Sequence, residues 1–260
     1  MNISILIPIF NESENIPLLY SSLLSTLNNQ NYEFEIIFVN DGSTDDSMQQ
    51  LNHIALEDNR IKVIHFKRNY GQTAAIMAAI HHSNGEILIP MDGDLQNDPE
   101  DIPLLLKRLE EGYDVVSGWR KNRQDKTLTR KIPSKIANWT VSRIAGVNLH
   151  DYGCTLKAYR RSTIENIRLY GEMHRFIPIY ASWEGGKISE IVVKHHPRRL
   201  GVSKYGLGRV PKVILDLILI RFMHKAFDRP IQFFGRVGFY CIGLSFFLAI
   251  WSIFLKLFNG

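Results

Sequence analysis

The chain has 260 residues, 45% of them hydrophobic, so it can bury one large core and carry an additional segment. Its formal net charge is +5, but nine Lys and Arg residues and only two acidic residues lie between Lys194 and Arg229, so the basic charge is local. This distribution argues against a nucleic-acid-binding protein with a uniformly basic surface and favours a basic patch that contacts phosphate or anionic lipid.

Strand and helix patterns alternate from residue 3 to residue 118. Continuous apolar runs predict buried strands at 3–10, 34–39, 61–66, 87–91 and 114–118. Helical spacing of apolar or small residues predicts helices at 15–27, 43–56, 74–82 and 99–110. This alternation predicts an α/β fold, in which helices flank a mostly parallel sheet.

Individual residues predict where some of these elements begin and end. Asp98 is a suitable N-cap, with Pro99 at the first helical position. Ser43 followed by Asp46 resembles a capping box for the second helix. Pro90 has no backbone N–H, so we expect the fourth strand to end or bulge there.

Polar residues follow the first four predicted strands. Because parallel strands end at the same edge of a sheet, and ligands bind at that edge, these residues predict a shared site. Taken singly, each could be a turn or a helix cap. They are Asn11 and Glu12 after the first strand, Asp41 after the second, Gly71 and Gln72 after the third, and Asp92 and Asp94 after the fourth.

Asp92 and Asp94 are separated by a single glycine. Two carboxylates this close repel each other unless a cation neutralises them. Mg²⁺ and Mn²⁺ commonly join a few carboxylates to substrate phosphates. The pair therefore predicts a metal and diphosphate site, with an Asp-rich surface turn as the alternative.

The segment from Val237 to Leu255 contains nineteen residues without a charge. As a helix it would be about 28 Å long, enough to cross the hydrocarbon core of a membrane. Arg236 precedes it and Tyr240 and Trp251 lie near its ends, which predicts a cytoplasmic amino side. A buried core helix is the alternative. No signal-peptide pattern opens the chain, so we expect the N-terminal domain to be cytoplasmic.

Several motifs resemble those of glycosyltransferase family 2, which has the GT-A fold. They are Pro8-Ile9-Phe10-Asn11-Glu12, Asn40-Asp41-Gly42-Ser43-Thr44-Asp45, Asn69-Tyr70-Gly71-Gln72 and Asp92-Gly93-Asp94-Leu95-Gln96. Further segments resemble the polyprenyl-phosphate glycosyltransferases, including dolichyl-phosphate mannose synthase and bacterial undecaprenyl-phosphate glucosyltransferases. These are residues 92–100, Ser117-Gly118-Trp119-Arg120 and His150-Asp151-Tyr152-Gly153-Cys154.

This resemblance implies roles for individual residues. The implied nucleotide-sugar site is formed by Pro8, Asn11, Glu12, Asp41, Gly71, Gln72 and Asp92. Asp94 and Gln96 would bind Mg²⁺ or Mn²⁺ on the donor diphosphate. Arg120 is our candidate for stabilising the leaving diphosphate, since cations lower that barrier electrostatically. The basic loop after it is either a solvated face or a lid over the phosphates; it carries Arg123, Lys126, Arg130 and Lys131.

A basic segment later in the chain resembles the family's Arg-x-x-Gly-x-Ser-Lys-Tyr motif, which is associated with the acceptor phosphate. The residues implied to bind that phosphate are Arg198, Arg199, Ser203 and Lys204. His195 and His196 precede them but are not favoured as zinc ligands, because no cysteine accompanies them. We predict a cytoplasmic GT-A domain at 1–205, amphipathic interfacial helices at 206–232 and a transmembrane helix at 233–260.

The resulting hypothesis is a metal-dependent enzyme that transfers a hexose, with inversion, from a UDP-sugar to undecaprenyl phosphate at the cytoplasmic face of the bacterial inner membrane. Asp92, Asp94, Arg120 and Asp151 form the predicted catalytic set, with Asp151 as a base, an orienting group or only a turn residue before a strand at 152–159. Uracil is favoured as the base by resemblance to the bacterial branch, including residues 171–176, and glucose or a close relative is the expected sugar. A homo-oligomer is also compatible with the sequence.

Alternatives remain at this point. The donor could be GDP-mannose, UDP-GlcNAc or a UDP-aminoarabinose type, and the chain could be a non-catalytic nucleotide- or lipid-binding scaffold. A processive polysaccharide synthase would carry a Gln-x-x-Arg-Trp motif, which this sequence lacks. Bacterial relatives commonly have two membrane spans, whereas one is predicted here.

Overall fold

The computed structural model describes residues 2–30, 32–121, 142, 146–198, 215, 219, 222 and 230–259. The chain divides into two compact units, Met1–Leu207 and Gly208–Gly260. The predicted basic loop at 123–131 and the acceptor residues Arg199, Ser203 and Lys204 lie outside the described residues. The predicted domain boundaries stay a prediction.

The described part of the first unit consists of strands and helices in alternation. Its strands are β1 (Asn2–Ile9), β2 (Glu33–Asn40), β3 (Ile61–His65), β4 (Ile87–Pro90), β5 (Val115–Trp119), β6 (Lys157–Arg160) and β7 (Ile188–Val192). Its α-helices are α1 (Ile16–Asn28), α2 (Ser47–Glu57), α3 (Gln72–His82), α4 (Ile102–Glu110), α5 (Arg161–Ile164) and α6 (Ile177–Trp183). Short 3₁₀ helices occur at Pro99–Asp101 and Met173–Phe176.

The strands form one sheet in the order β3-β2-β1-β4-β6-β5-β7. β1 pairs in parallel with β2 and β4, β2 with β3, and β5 with β7. β6 is antiparallel to both of its neighbours, β4 and β5. The predicted α/β fold with a mostly parallel sheet is therefore confirmed, and β1 to β5 all end at the same edge.

The core lies on both faces of the central strands. Ile5, Leu6 and Ile7 in β1 are all fully buried, as expected for a strand with helices on either side. α1 contributes Leu19 and Leu23 to this core. The continuous apolar pattern of β1 thus follows from its position in the middle of the sheet.

The structure corrects two local predictions and confirms two others. Ser43 does not form a capping box: its hydroxyl accepts a hydrogen bond from the backbone N–H of Asn11, and α2 begins at Ser47. The strand predicted at 152–159 begins only at Lys157. Asp98 does act as an N-cap, since its carboxylate accepts the N–H of Glu100 at 3.0 Å. β4 ends at Pro90, as expected.

The described part of the second unit is dominated by one long helix, α7 (Pro230–Asn259). Within the described residues, Pro230–Phe258 is the one helix long and apolar enough to cross a membrane, with a mean hydropathy of 2.1. Large apolar side chains are exposed along its whole length. Of the predicted amphipathic segment, only residues 215, 219, 222 and 230–232 are described, and they are helical.

Candidate active site

The loops that follow β1 and β2 are joined by hydrogen bonds. Asn11 has a left-handed backbone (φ 51°), and its side-chain carbonyl accepts the N–H of Thr44 at 2.8 Å. The N–H of Ser13 donates to the carboxylate of Asp45 at 3.1 Å. An open cavity of about 240 Å³ lies here, lined by Asn11, Glu12, Ser13, Glu14, Asn15 and Asp45. The two loops thus form one wall of a concave site at the sheet edge.

Asp41 joins this wall to the start of α3. Its carboxylate accepts the backbone N–H of Tyr70 at 2.6 Å and of Gly71 at 2.9 Å. Burial raises the pKa of Asp41, while these two hydrogen bonds oppose the increase. The neighbouring Gly42 has a φ of +70°, and a Cβ there would lie 2.3 Å from the backbone carbon of Arg68. The close approach of the two loops therefore needs a glycine.

The loop after β4, residues 92–97, is here called the DGD loop. Asp92 accepts a hydrogen bond from the side-chain amide of Gln72, the first residue of α3, at 2.8 Å. Gly93 lies against the end of β1, where a Cβ would be 3.3 Å from the carbonyl oxygen of Pro8. Asp94 accepts the N–H of Gln96 at 3.2 Å, and Leu95 between them has a left-handed backbone. The predicted donor residues of β1, α3 and β4 thus lie in one group.

The electrostatics of the DGD loop favour a bound cation. Burial, followed by the negative charge of Asp92, raises the pKa of Asp94 to about 6, with Glu12 adding to the increase. The N–H of Gln96 and the charge of Arg198 act in the opposite direction. A carboxylate held among other carboxylates is stabilised by an added positive charge.

The residues present fit Mg²⁺ or Mn²⁺. Asp94 and Gln96 offer oxygen atoms, which these hard cations prefer. Within the described residues, no three His, Cys, Asp or Glu side chains converge on one point. Mg²⁺ commonly takes one or two protein carboxylates and completes its coordination with substrate phosphates and water.

The segment after β7, residues 194–198, lies along the DGD loop. The N–H of His196 donates to the carbonyl of Gln96 at 2.9 Å, and its ring Nε2 lies 3.0 Å from the Asp98 carboxylate. This pairing brings Arg198 close to residues that the family resemblance implies bind the donor. Its guanidinium donates a hydrogen bond to the Glu12 carboxylate and lies 3.8 Å from that of Asp94. A residue implied to bind acceptor phosphate therefore contacts residues implied to bind donor and metal.

Arg120 and Asp151 form a second, adjoining cluster. Arg120 Nε and Nη2 lie 2.7 and 3.0 Å from the two carboxylate oxygens of Asp151, and both side chains are almost completely buried. Burial alone would lower the pKa of Arg120, but the Asp151 carboxylate holds it above the ordinary value. The charge of Asp92 acts on the pKa of Arg120 in the same direction. This geometry favours Asp151 as an orienting group, because its two oxygens already hold Arg120.

One residue near this cluster was missed by the sequence analysis. Lys157 on β6 is only 2% exposed, and its amine donates hydrogen bonds to the carbonyls of Tyr152 and Cys154. The signal in the sequence was a single charge inside the apolar run 156–159. A charged residue in such a run is rarely fully buried unless its hydrogen-bonding groups are satisfied.

Comparison with known proteins identifies the family. The family model described as glycosyl transferase family 2 matches residues 4–168, which is more than half of the chain. The chain belongs to glycosyl transferase family 2. It is therefore a glycosyltransferase, as the motif resemblance implied.

Several curated relatives of this family 2 enzyme are similar along its whole length. Dodecaprenyl-phosphate galacturonate synthase of Rhizobium johnstonii is 42% identical, over 100% of this chain and 78% of the relative. Undecaprenyl-phosphate 4-deoxy-4-formamido-L-arabinose transferase of Photorhabdus laumondii is 40% identical, over 99% of this chain and 78% of the relative. Both relatives are named for sugar transfer to a polyprenyl phosphate.

Solved structures confirm the predicted GT-A fold. Glucosyl-3-phosphoglycerate synthase of Mycobacterium tuberculosis, crystallised with Mn²⁺, UDP and glucosyl-3-phosphoglycerate, superposes with a TM-score of 0.66. The match covers 85% of this family 2 chain and 79% of the synthase, at 17% sequence identity. At this identity the likeness concerns the fold.

Proposed function

We propose that this family 2 enzyme transfers a sugar from a UDP-linked donor to the phosphate of a membrane polyprenyl phosphate, with inversion at the anomeric carbon. The donor would lie at the edge formed by β1, β2 and β4, against Glu12, Asp41 and Asp92. The relatives named above act on polyprenyl phosphates, and structural neighbours bind UDP with Mn²⁺ or Mg²⁺, which supports both substrate classes.

The observation that carries this proposal is the position of Arg198. It follows β7 in a basic segment, and it lies among the carboxylates of Glu12 and Asp94. An arginine here is close enough to the donor site to bring an acceptor phosphate beside the reacting sugar. Guanidinium groups bind phosphate through two parallel hydrogen bonds, which fixes orientation as well as charge.

A phosphate acceptor explains why the site needs no strong base. A phosphate monoester is already anionic near neutral pH, so it can attack the anomeric carbon once it is held in line with the departing diphosphate. Direct attack of this kind inverts the anomeric configuration. Asp151 would then orient Arg120, and Arg120 would stabilise the negative charge that develops on the leaving group.

The divalent cation would be held by Asp94 and Gln96. When bound, it supplies positive charge that stabilises the diphosphate leaving group. Gln72 would keep the Asp92 carboxylate turned toward the donor through the hydrogen bond described above. The N–H of Gln96 holds one oxygen of Asp94 in the same way.

The identity of the sugar is a separate part of the proposal. Glucose, expected from the motif resemblance, stays a prediction. Galacturonate and 4-deoxy-4-formamido-L-arabinose are the sugars in the names of the two relatives described above. We therefore propose these two sugars as donor candidates alongside glucose.

We further propose that α7 crosses the bacterial inner membrane, with the catalytic unit on the cytoplasmic side. The helix is long and apolar enough, and its apolar side chains are exposed on every face. Such an anchor would hold the enzyme at the leaflet that contains its lipid acceptor.

The test is a transfer assay with the detergent-solubilised full chain, undecaprenyl phosphate, Mg²⁺ and radiolabelled sugar nucleotides. The donors are UDP-glucose, UDP-galacturonate, UDP-4-deoxy-4-formamido-L-arabinose, UDP-GlcNAc and GDP-mannose. We expect label in the lipid fraction from one UDP-sugar and its loss on addition of EDTA. Lipid labelling from GDP-mannose alone would contradict the UDP assignment, and labelling of a water-soluble acceptor in place of lipid would contradict the acceptor assignment.

Asp94→Asn tests the proposed role of Asp94 in the same transfer assay. It removes one negative charge from the DGD loop, and we expect at least about a hundredfold loss of transfer. Asp46→Asn is the control, because Asp46 is exposed and its side chain makes no cap hydrogen bond. Equal activity of the two variants would contradict the role given to Asp94.

A further inference from the structure

Lys157 is a buried cation next to the proposed active site. It lies on β6, which is inserted between β4 and β5, and its Cα pairs with that of Ser117. Its two hydrogen-bond acceptors are the carbonyls of Tyr152 and Cys154. No carboxylate in the described part of the chain lies within ion-pair distance of its amine. Burying a charged amine is costly, so its position calls for an explanation beyond packing.

The two acceptor carbonyls belong to a tight turn, residues 151–154. Within this turn the N–H of Gly153 donates to the Asp151 carboxylate at 3.0 Å. A Cβ on Gly153 would lie 3.1 Å from Arg120 Nη2, so the turn packs directly against the guanidinium. Lys157 therefore binds the peptide units Tyr152–Gly153 and Cys154–Thr155, and the turn between them holds the carboxylate that binds Arg120.

The inference rests on the proposed function. We propose that Lys157 is a positioning residue of the transferase: it holds the 151–154 turn so that Asp151 orients Arg120 toward the donor diphosphate. Lys157 touches no substrate in this arrangement. Its amine binds the turn, and Asp151 in that turn binds the guanidinium of Arg120.

The charge of Lys157 gives the proposal a measurable pH dependence. Burial, with smaller contributions from the nearby Arg120 and Arg175, lowers the pKa of Lys157 to about 8, whereas the Cys154 thiol and Asp151 act in the opposite direction. Burial raises the pKa of that thiol to about 11, so it is neutral when Lys157 titrates. His174 and Tyr159 line a small cavity together with Lys157. Lys157 thus loses its proton in the mildly alkaline range, where its hydrogen bonds to the carbonyls weaken.

The experiment compares the full wild-type chain with Lys157→Met and Lys157→Arg, and uses Lys107→Met as the control. Lys107 lies on the exposed face of α4, so its replacement removes the same charge from a solvated position. For wild-type protein we expect kcat to fall as the pH rises through about 8. Lys157→Met should lose at least tenfold in kcat at pH 7 and show no such fall. Lys157→Arg should retain the positive charge, and its kcat should fall only at higher pH, because arginine loses its proton at higher pH than lysine.

Two further measurements separate positioning from general damage to the fold. The affinity for uridine, which lacks the diphosphate, is measured by calorimetry and should change less than twofold in Lys157→Met, since the proposed role of Lys157 concerns only the diphosphate. Hydrogen exchange of residues 151–156, corrected for intrinsic rates, should increase at least tenfold in Lys157→Met and not in Lys107→Met. The same increase is expected in wild-type protein when the pH is raised from 7 to 9.

These readouts distinguish the failure of this inference from failure of the proposed function. If the wild-type chain transferred no sugar, the proposed function would be wrong, and hydrogen exchange would still decide whether Lys157 holds the turn. If transfer occurred and Lys157→Met kept both wild-type kcat and the wild-type pH profile, the positioning role would be wrong. If neither Lys157 variant folds, the inference is tested on the wild-type protein alone, through its kcat as a function of pH and its hydrogen exchange. Unchanged exchange of residues 151–156 between pH 7 and pH 9 would then contradict the inference.

Discussion

The guanidinium of Arg198 donates a hydrogen bond to the carboxylate of Glu12, which lies 186 positions earlier in the chain. Both side chains are largely buried, with exposed fractions of 16% and 9%. A second terminal nitrogen of Arg198 lies 3.8 Å from Asp94 Oδ2. One cation thus joins a residue proposed to bind the donor to a residue proposed to bind the metal, and its positive charge would compete with that of a bound metal for the Asp94 carboxylate.

Replacement of Arg198 by Met should therefore strengthen binding of the metal and weaken binding of the acceptor. We expect Mn²⁺, measured by electron paramagnetic resonance in the presence of UDP, to bind more tightly, because a nearby positive charge is removed. The KM for polyprenyl phosphate should rise at least about tenfold, since a phosphate contact is lost.

Arg168→Met is the control for this prediction, because Arg168 is exposed and its replacement removes the same charge from a solvated position. It should change neither quantity. Weaker Mn²⁺ binding in Arg198→Met, with unaltered thermal stability, would show that Arg198 supports the cation site rather than competing with it.

The Arg120–Asp151 pair should behave as one unit in a double-mutant cycle. Arg120→Met and Asp151→Asn each leave a buried partner without its ion pair, which costs about 3 to 5 kcal/mol of stability. The double variant should lose less than the sum of the two, because no unpaired charge remains. Chemical denaturation in detergent measures the stabilities, and the transfer assay should show a loss of at least about a hundredfold for each single variant.

Glu111→Gln is the reference for the cycle, since it removes an exposed ion pair with Arg108, and pairs of this kind contribute little. Strictly additive effects of Arg120→Met and Asp151→Asn would indicate that the two residues act independently. In that case Asp151 would have a separate role, such as the base considered in the sequence analysis.

Gly42→Ala tests whether the close approach of the β2 loop to residues 68–71 matters for donor binding. A Cβ would lie 2.3 Å from the backbone carbon of Arg68 at a φ of +70°, so the loops must separate. We expect weaker UDP binding, by at least about tenfold, together with a stability loss above the roughly 1 kcal/mol that a left-handed backbone alone costs for alanine.

Gly112→Ala isolates the backbone contribution. Gly112 has a φ of +95°, but no atom lies within 4 Å of the position of its Cβ. It should lose stability through backbone strain only and keep wild-type UDP affinity. Equal effects of the two variants on UDP binding, measured by calorimetry, would mean that the steric contact at Gly42 has no role in the donor site.

Much of the fold could be predicted from the sequence because its signals are local. The run before Asp92 is apolar, Pro90 ends the strand, and Asp98 with Pro99 starts the next helix. These features depend on neighbouring residues, and parallel topology then places the strand ends together. The DGD loop and its two carboxylates were accessible to sequence reasoning for this reason.

What could not be predicted depends on residues far apart in the chain. β6 pairs antiparallel with β4 and β5, and nothing in its four residues specifies those neighbours. The hydroxyl of Ser43 is taken by the N–H of Asn11 rather than by its own helix. The contact of Arg198 with Glu12 likewise requires the 194–198 segment to pair with the DGD loop, which only the folded chain decides.

Asp58 offers a stability prediction away from the active site, with a defined dependence on pH. Its carboxylate accepts hydrogen bonds from Arg60 Nε and Nη2 at 2.9 and 2.7 Å and from the Tyr20 hydroxyl at 3.0 Å. The bond with Arg60, against the opposing effect of burial, lowers the pKa of Asp58 from 3.8 to about 2. This carboxylate joins α1 to the turn between α2 and β3.

Because the pKa of Asp58 is lower in the folded state, its ionised form stabilises the fold above pH 4, and this contribution is lost as the pH falls through about 2. Asp58→Asn should lower the free energy of unfolding at pH 7 by about 1 kcal/mol, a value appropriate to partly solvated charged hydrogen bonds. The difference between wild type and variant should shrink between pH 4 and pH 2, as measured by denaturant unfolding in detergent. Tyr20→Phe removes only one of the donors and should cost less at pH 7. A difference between wild type and Asp58→Asn that stayed constant down to pH 2 would show that the ionised carboxylate is not its source.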